Sequence, residues 1–148
     1  MKLVFQSGLS FFLVIVQFVC IIVLAIKGTI LSELHYLLFI QLLFIILGLW
    51  ALISMKFRFN ISPDLLDGSE FINVGPYRYI RHPMYLATLG ITFCWILPDF
   101  NVTLLIIWTI LLIDLLVKLN YEENILKQKF IFYKQYAKQT KRLIPFIY

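Results

Sequence analysis

Charge is scarce in this sequence. Only 14% of its 148 residues are Asp, Glu, Lys or Arg, while 61% are hydrophobic. Soluble domains carry about 25% charged residues, so the composition excludes an ordinary water-soluble domain and reads as membrane. Cysteine is scarcer still. Cys20 and Cys94 both fall inside apolar runs, with no second Cys or His at ligand spacing. That excludes a disulfide framework and a metal cluster, and leaves two small buried hydrophobes. A Ser-His-Asp set and a glycine-rich phosphate loop are also missing. The net charge of +5 comes without any nucleic-acid motif, so the basic residues read as flanks of membrane spans. The length allows one bundle and no separate soluble domain.

What the chain does have is long apolar runs. Residues 9–26 and 35–55 each have spanning length, and a short polar turn with Gly28 and Glu33 separates them. A span of about 20 residues crosses the hydrocarbon core. Only Lys2 precedes the first run and no Ala-x-Ala-like site follows it, so a span is expected there rather than a cleaved signal. The third run, 84–97, would be about 21 Å long as a helix, short against about 30 Å of hydrocarbon. A Pro98-Asp99-Phe100-Asn101 turn leads to the fourth, 102–117. The fold class is therefore all-α, a polytopic transmembrane helical bundle of about four apolar segments. The last two are either tilted spans or a re-entrant hairpin. The tail, 118–148, reads as a basic, aromatic, amphipathic C-terminal helix. Its Leu126, Phe130, Tyr133 and Ala137 recur at helical spacing, and Pro145 stops it.

Orientation follows from the basic residues. Lys2, Lys56, Arg58, Arg78, Arg81 and the seven Lys and Arg from Lys118 to Arg142 share one side, and Lys27 alone falls on the other. By the positive-inside rule, both termini and the connection 56–83 are expected to be cytoplasmic.

Two polar elements stand out at the ends of apolar segments. One is Gly75-Pro76-Tyr77-Arg78-Tyr79-Ile80-Arg81-His82-Pro83-Met84-Tyr85. Polar clusters at membrane depth are costly and tend to be functional. Gly75-Pro76 departs from a helix and Pro83 starts one, so Arg81 and His82 fall at a helix N-terminus suited to a carboxylate. Read plainly, the same arginines snorkel and the tyrosines form an aromatic belt. The second element is Glu122-Glu123. Adjacent carboxylates repel, so one is solvated or paired while the other faces inward. Alone it could be a solvated helix end with Lys118 pairing to Glu122. Asp114, inside the fourth run, lies four residues before Lys118, a spacing that allows an ion pair or makes it a polar wall. Gln17 and Gln41 read as interhelical hydrogen-bonders.

Together, Gly-Pro-Tyr-x-x-x-Arg-His-Pro-x-Tyr, the acidic pair, and the Arg142-Leu143-Ile144-Pro145 ending resemble one family. It comprises the integral-membrane methyltransferases related to isoprenylcysteine carboxyl methyltransferase and phospholipid N-methyltransferase. The resemblance runs from about residue 60 to the C-terminus and implies S-adenosyl-L-methionine as cofactor. Carried over by motif position, the implied cofactor contacts are Tyr77, His82, Pro83, Met84, Tyr85 and Glu122, with Glu70, Phe71 and Ile72 in a less certain register. Lys118 stands where the isoprenylcysteine enzymes have an arginine near the substrate carboxylate, and lysine lacks that bidentate geometry. Ala87 replaces a usual glycine and Ile131 a usual Phe-Gly.

The implied reaction is methyl transfer to a lipophilic acceptor entering from the bilayer, first of all the carboxylate of a prenylcysteine-like molecule. The alternative is N-methylation of a phospholipid or small amine. In-line displacement needs positioning more than a triad. Arg81 or Lys118 would align an acceptor carboxylate, and Glu123 would be the base for an amine. Two rivals remain. A sterol-reductase-type enzyme shares an Arg-His-Pro-x-Tyr-like element but lacks the acidic pair as a hallmark, and a non-catalytic membrane subunit would bind no cofactor.

Overall fold

A computed structural model describes the backbone of residues 2–55 and 72–144, with side chains from residue 8 onward. These residues are helical almost throughout. Helix α1 spans Lys2–Lys27, α2 His35–Ser54, α3 Pro83–Ile96, α4 Val102–Lys129 and α5 Tyr133–Gln139. A 3-10 turn, Gly75–Arg78, precedes α3. Three helices are long and apolar enough to cross a membrane, and α3 is a shorter apolar helix of 14 residues. This is a polytopic helical membrane bundle. Large side chains on its outside, including Phe11, Phe12, Phe39 and Trp50, are exposed, as expected where the surrounding solvent is lipid.

The bundle is built on two antiparallel pairs. In the first, α1 lies along α4 with a buried stripe of Leu13, Cys20 and Leu24, and the half-buried Gln17 among them, on the side of Leu111, Leu115 and Leu119. In the second, α2 packs on α3, and the ring of Phe44 lies where a side chain on Gly90 would be. The interhelical approach is close there because glycine presents no Cβ. At the far end, the Thr29 amide donates to the Trp95 carbonyl at 2.8 Å, tying the α1–α2 turn to the end of α3. Asn101 caps α4, its side chain accepting from the Thr103 amide.

One sequence expectation needs correcting. The tail does not start a new helix at Lys118. Instead α4 runs unbroken for 28 residues, about 42 Å at the usual rise. Nothing between Val102 and Lys129 breaks a helix, and its polar residues are mostly Lys, Glu and Gln, all good helix formers. The periodicity expected across Phe130 is also interrupted. Phe130 is extended, with φ −116 and ψ 115, in an aromatic and β-branched Phe130-Ile131-Phe132 run of weak helix propensity. The short α5 follows, and the chain then runs alongside residues 79–82 in one parallel bridge, Ile80 to Lys141.

Gly75 sets the entry to the signature loop. Its φ is +60, and a Cβ there would collide with the Ser54 side chain at the end of α2. Gly75→Ala should therefore incur the left-handed penalty of about 1–2 kcal/mol, plus the cost of displacing Ser54. A clearly lower thermal midpoint of the solubilised protein is the expected result. An unchanged midpoint would show that the loop is not held in this conformation.

Candidate active site

The signature loop gets its shape from three local features. Gly75 turns the chain, Pro76 sits in the first 3-10 positions, and Pro83 starts α3, where a missing N–H costs nothing. His82 lies between them as the N-cap of α3. The tail then clamps the loop. The Arg81 amide donates to the Lys141 carbonyl at 2.8 Å, the His82 amide to the Arg142 carbonyl at 3.0 Å, and the Lys141 amide to the Tyr79 carbonyl at 3.1 Å. The Tyr136 hydroxyl donates to the Tyr77 carbonyl.

Arg81 turns inward. Its Nε meets Glu123 Oε1 at 2.7 Å, with side-chain exposures of 8% and 2%. Its Nη1 donates to the carbonyls of Ala137 and Thr140. Glu123 is also approached by Arg142 Nε at 3.4 Å, Lys127 Nζ at 3.7 Å and His82 Nε2 at 3.7 Å. Arg142 reaches on to Asn120 Oδ1 at 3.2 Å. Both Glu123 oxygens are thus engaged by cations from the loop, from α4 itself and from the tail.

Glu122 has a different setting. Its side chain is 21% exposed. The Tyr85 hydroxyl donates to its Oε1, and His82 Nδ1 stands 3.5 Å from its Oε2. The rings of His82 and Tyr85 stack at 5.3 Å with an interplanar angle of 13°. Lys118 lies one turn deeper along α4, its Nζ 5.9 Å from the Tyr85 ring centre. That Nζ donates to Gln17 Oε1 on α1 at 2.6 Å.

Tyr77 closes another side, its hydroxyl donating to Met55 Sδ at 2.9 Å. Burial first, then the nearby Tyr136 and Glu122, push the Tyr77 phenol above its ordinary range. Burial likewise pushes Tyr136 up to about 12. Both hydroxyls stay protonated and able to donate near neutral pH.

The structure therefore brings together Arg81, His82, Tyr85, Lys118, Glu122 and Glu123, from elements up to 42 residues apart in the chain. Pro83 and Met84 form the first turn of α3 beside them, buried and half-buried respectively. Ile72 is half-buried just before the 3-10 turn. Glu70 and Phe71 lie outside the described residues. Neither oxygen of Asp114 has a hydrogen-bond partner, and the Lys118 ammonium, which the spacing would let pair along its own helix, donates to Gln17. An amide on the facing helix meets Lys118 at its own level. Sequence reasoning passed over Lys127, Thr140 and Arg142 as site-building residues. Arg142 was visible only as part of the tail ending, without a partner to give it meaning.

The profile of the Isoprenylcysteine carboxyl methyltransferase (ICMT) family matches residues 34–128, more than half of the chain. The chain belongs to this family. It is accordingly a membrane methyltransferase. No curated protein and no solved structure matches it. The match starts at α2, earlier than the resemblance from about residue 60, and takes in the signature loop, Lys118 and the acidic pair. It leaves out α1 and the tail, which in this methyltransferase supply Gln17 and the clamp on Arg81.

That clamp gives a direct test. Arg81→Ala takes from the buried Glu123 its closest cation, and losing one partner of a buried pair costs up to about 3–5 kcal/mol. Arg81→Lys keeps the charge but not the fork that reaches the Ala137 and Thr140 carbonyls, so its loss should be intermediate. Thermal unfolding of the three proteins in one detergent measures the order. An Arg81→Ala protein as stable as the parent would remove Arg81 from the framework.

Proposed function

We propose that this methyltransferase moves the methyl group of S-adenosylmethionine to a lipophilic acceptor, and that the acceptor atom is a carboxylate oxygen of a prenylcysteine-like molecule. The observation that carries the proposal is Glu122, a part-exposed carboxylate held between His82 and Tyr85. The fit to the cofactor is chemical. Its amino and hydroxyl groups need acceptors, and Glu122 Oε2 supplies one at the edge of the site. Its sulfonium favours aromatic faces, and Tyr77, His82 and Tyr85 present three. Pro83 and Met84 would form the apolar floor.

When bound, S-adenosylmethionine supplies a methyl group already activated by positive sulfur. The chain has to align the acceptor and keep water away. A carboxylate acceptor is ionised at neutral pH and needs no base. That suits the setting of Glu123, whose oxygens are both held in ion pairs and so are poorly disposed to take a proton. Arg81 is similarly committed to Glu123 and to the tail carbonyls. We therefore assign Arg81 and Glu123 to positioning the loop rather than to touching substrate. Lys118, beside the Tyr85 ring, is the cation we assign to an acceptor carboxylate, which would share its ammonium with Gln17. The acceptor would enter sideways from the bilayer. The cofactor would enter from the cytoplasm, the side to which the positive-inside rule assigns the loop and both termini.

The test is a titration with S-adenosylhomocysteine after the folded fraction of each variant is known. Glu122→Gln loses charge-assisted hydrogen bonds worth about 1.5–3 kcal/mol, so affinity should fall about ten- to a hundredfold. His82→Ala should fall comparably. Leu111→Ala, a buried packing residue of α4, should leave affinity per folded molecule unchanged. Parental affinity in both Glu122→Gln and His82→Ala would refute this site.

A further inference from the structure

The turn between α4 and α5 puts apolar bulk where no span covers it. Among the described residues, Ile131 is the most exposed large hydrophobic side chain at 90%, and its neighbour Phe132 is 75% exposed. The exposed apolar residues of α1, α2 and α4 up to Val117 lie in membrane-crossing helices, where lipid covers them. Ile131 and Phe132 come after the end of α4 and need another cover. A single exposed apolar residue is ordinary. Two bulky ones in succession make a wedge of the kind that marks an interaction site.

The charge around the wedge is of one sign. Six Lys and Arg but no Asp or Glu follow Glu123 in the sequence. Lys127 and Arg142 turn back to Glu123. The inner face of α5 is taken as well: Tyr133 is buried, the Tyr136 hydroxyl donates to the Tyr77 carbonyl, and the Ala137 carbonyl accepts from Arg81. Its outer face carries Lys134 and Lys138, one turn apart and both exposed. The height of the turn is set by α4. Its 28 residues measure about 42 Å, against about 40–45 Å for a bilayer with its headgroups. The last turn of α4 therefore ends at headgroup level.

We infer that the α4–α5 turn docks on the anionic headgroup surface of the bilayer that the bundle spans. Ile131 and Phe132 enter the interface, and Lys134 and Lys138 meet lipid phosphates, the division of labour of an interfacial amphipathic segment. The positive-inside rule assigns this turn to the cytoplasmic side, whose leaflet carries the anionic lipids. A soluble protein could cover the apolar pair, but it would have no general need of a wholly basic surround. The leaflet is also always within reach, because α4 tethers the turn to it, so weak contacts suffice. This inference goes beyond the methyl-transfer reading and does not depend on it.

The experiment places a bimane label on the full chain at Gln135→Cys, an exposed polar position of α5. Cys20 and Cys94 are buried, and the parent protein treated in the same way gives the background. The labelled protein is reconstituted in nanodiscs of phosphatidylcholine, or of phosphatidylcholine and phosphatidylglycerol in equal parts. Quenching by acrylamide, which is uncharged and stays in water, reads how far the label is shielded. The quenching constant should be lower by about twofold or more in the anionic discs, because each lysine at the surface adds to the attraction. Adding Lys134→Gln and Lys138→Gln should remove the difference between the discs. Adding Ile131→Ser and Phe132→Ser instead should raise quenching in the anionic discs. All four positions are exposed, so neither pair of changes touches the packing of the bundle. Equal quenching in the two kinds of disc overturns the inference, as does a Lys134→Gln/Lys138→Gln protein that keeps the difference. Full access of acrylamide in both discs would leave the turn as a surface for a soluble protein, and would overturn it too.

Discussion

One buried carboxylate holds the site together. Glu123, at 2% exposure, draws in Arg81 from the signature loop, Arg142 from the tail and Lys127 from its own helix. A single buried pair is a weak source of stability, because desolvation offsets most of the attraction. Its value lies in what breaks when it is removed. Without Glu123, the inward-turned Arg81 would be stranded and the loop would lose its anchor to α4. Without Arg81, the tail would lose the guanidinium that bonds its Ala137 and Thr140 carbonyls. The ion cluster works as a three-way joint whose geometry fixes His82.

The neighbouring Glu122 is useful because Glu123 takes that load. Successive residues on a helix point about a quarter-turn or more apart, so the acidic pair divides its labour. Glu123 faces the loop and tail, while Glu122 faces Tyr85 and the edge of the site. From Glu122 inward, α4 acts as a ruler that sets Lys118 and Asp114 at successive turns. Here α1 contributes Gln17, whose amide accepts from the Lys118 ammonium, and α3 contributes the Tyr85 ring between the two levels. A membrane bundle gains little from burying apolar surface, so such polar contacts carry much of its specificity.

Much of this was readable from the chain alone, because it is local. Apolar runs predict helices wherever backbone bonds must close internally. Gly75, Pro76 and Pro83 announced where the helical path breaks and restarts, and the two polar elements stood out against the apolar background. What could not be read was pairing between distant segments. Arg81 and Glu123 were both visible as candidates for chemistry, but nothing in their spacing says that they bind each other across 42 residues. The same holds for Lys118. Its spacing to Asp114 and to Glu122 allowed helical ion pairs, but nothing in it announced that a glutamine 101 residues away accepts from the ammonium. The length of α4 was misjudged for another reason. A change from apolar to polar residues marks a change of solvent, and a helix can pass through it without a break.

The central claim is that this arrangement forms a methyl-donor site. Calorimetric titration of the full-length protein with S-adenosylhomocysteine, and separately with NADPH, tests it most directly. The account predicts saturable binding of S-adenosylhomocysteine and none of NADPH. Binding of NADPH alone would contradict it.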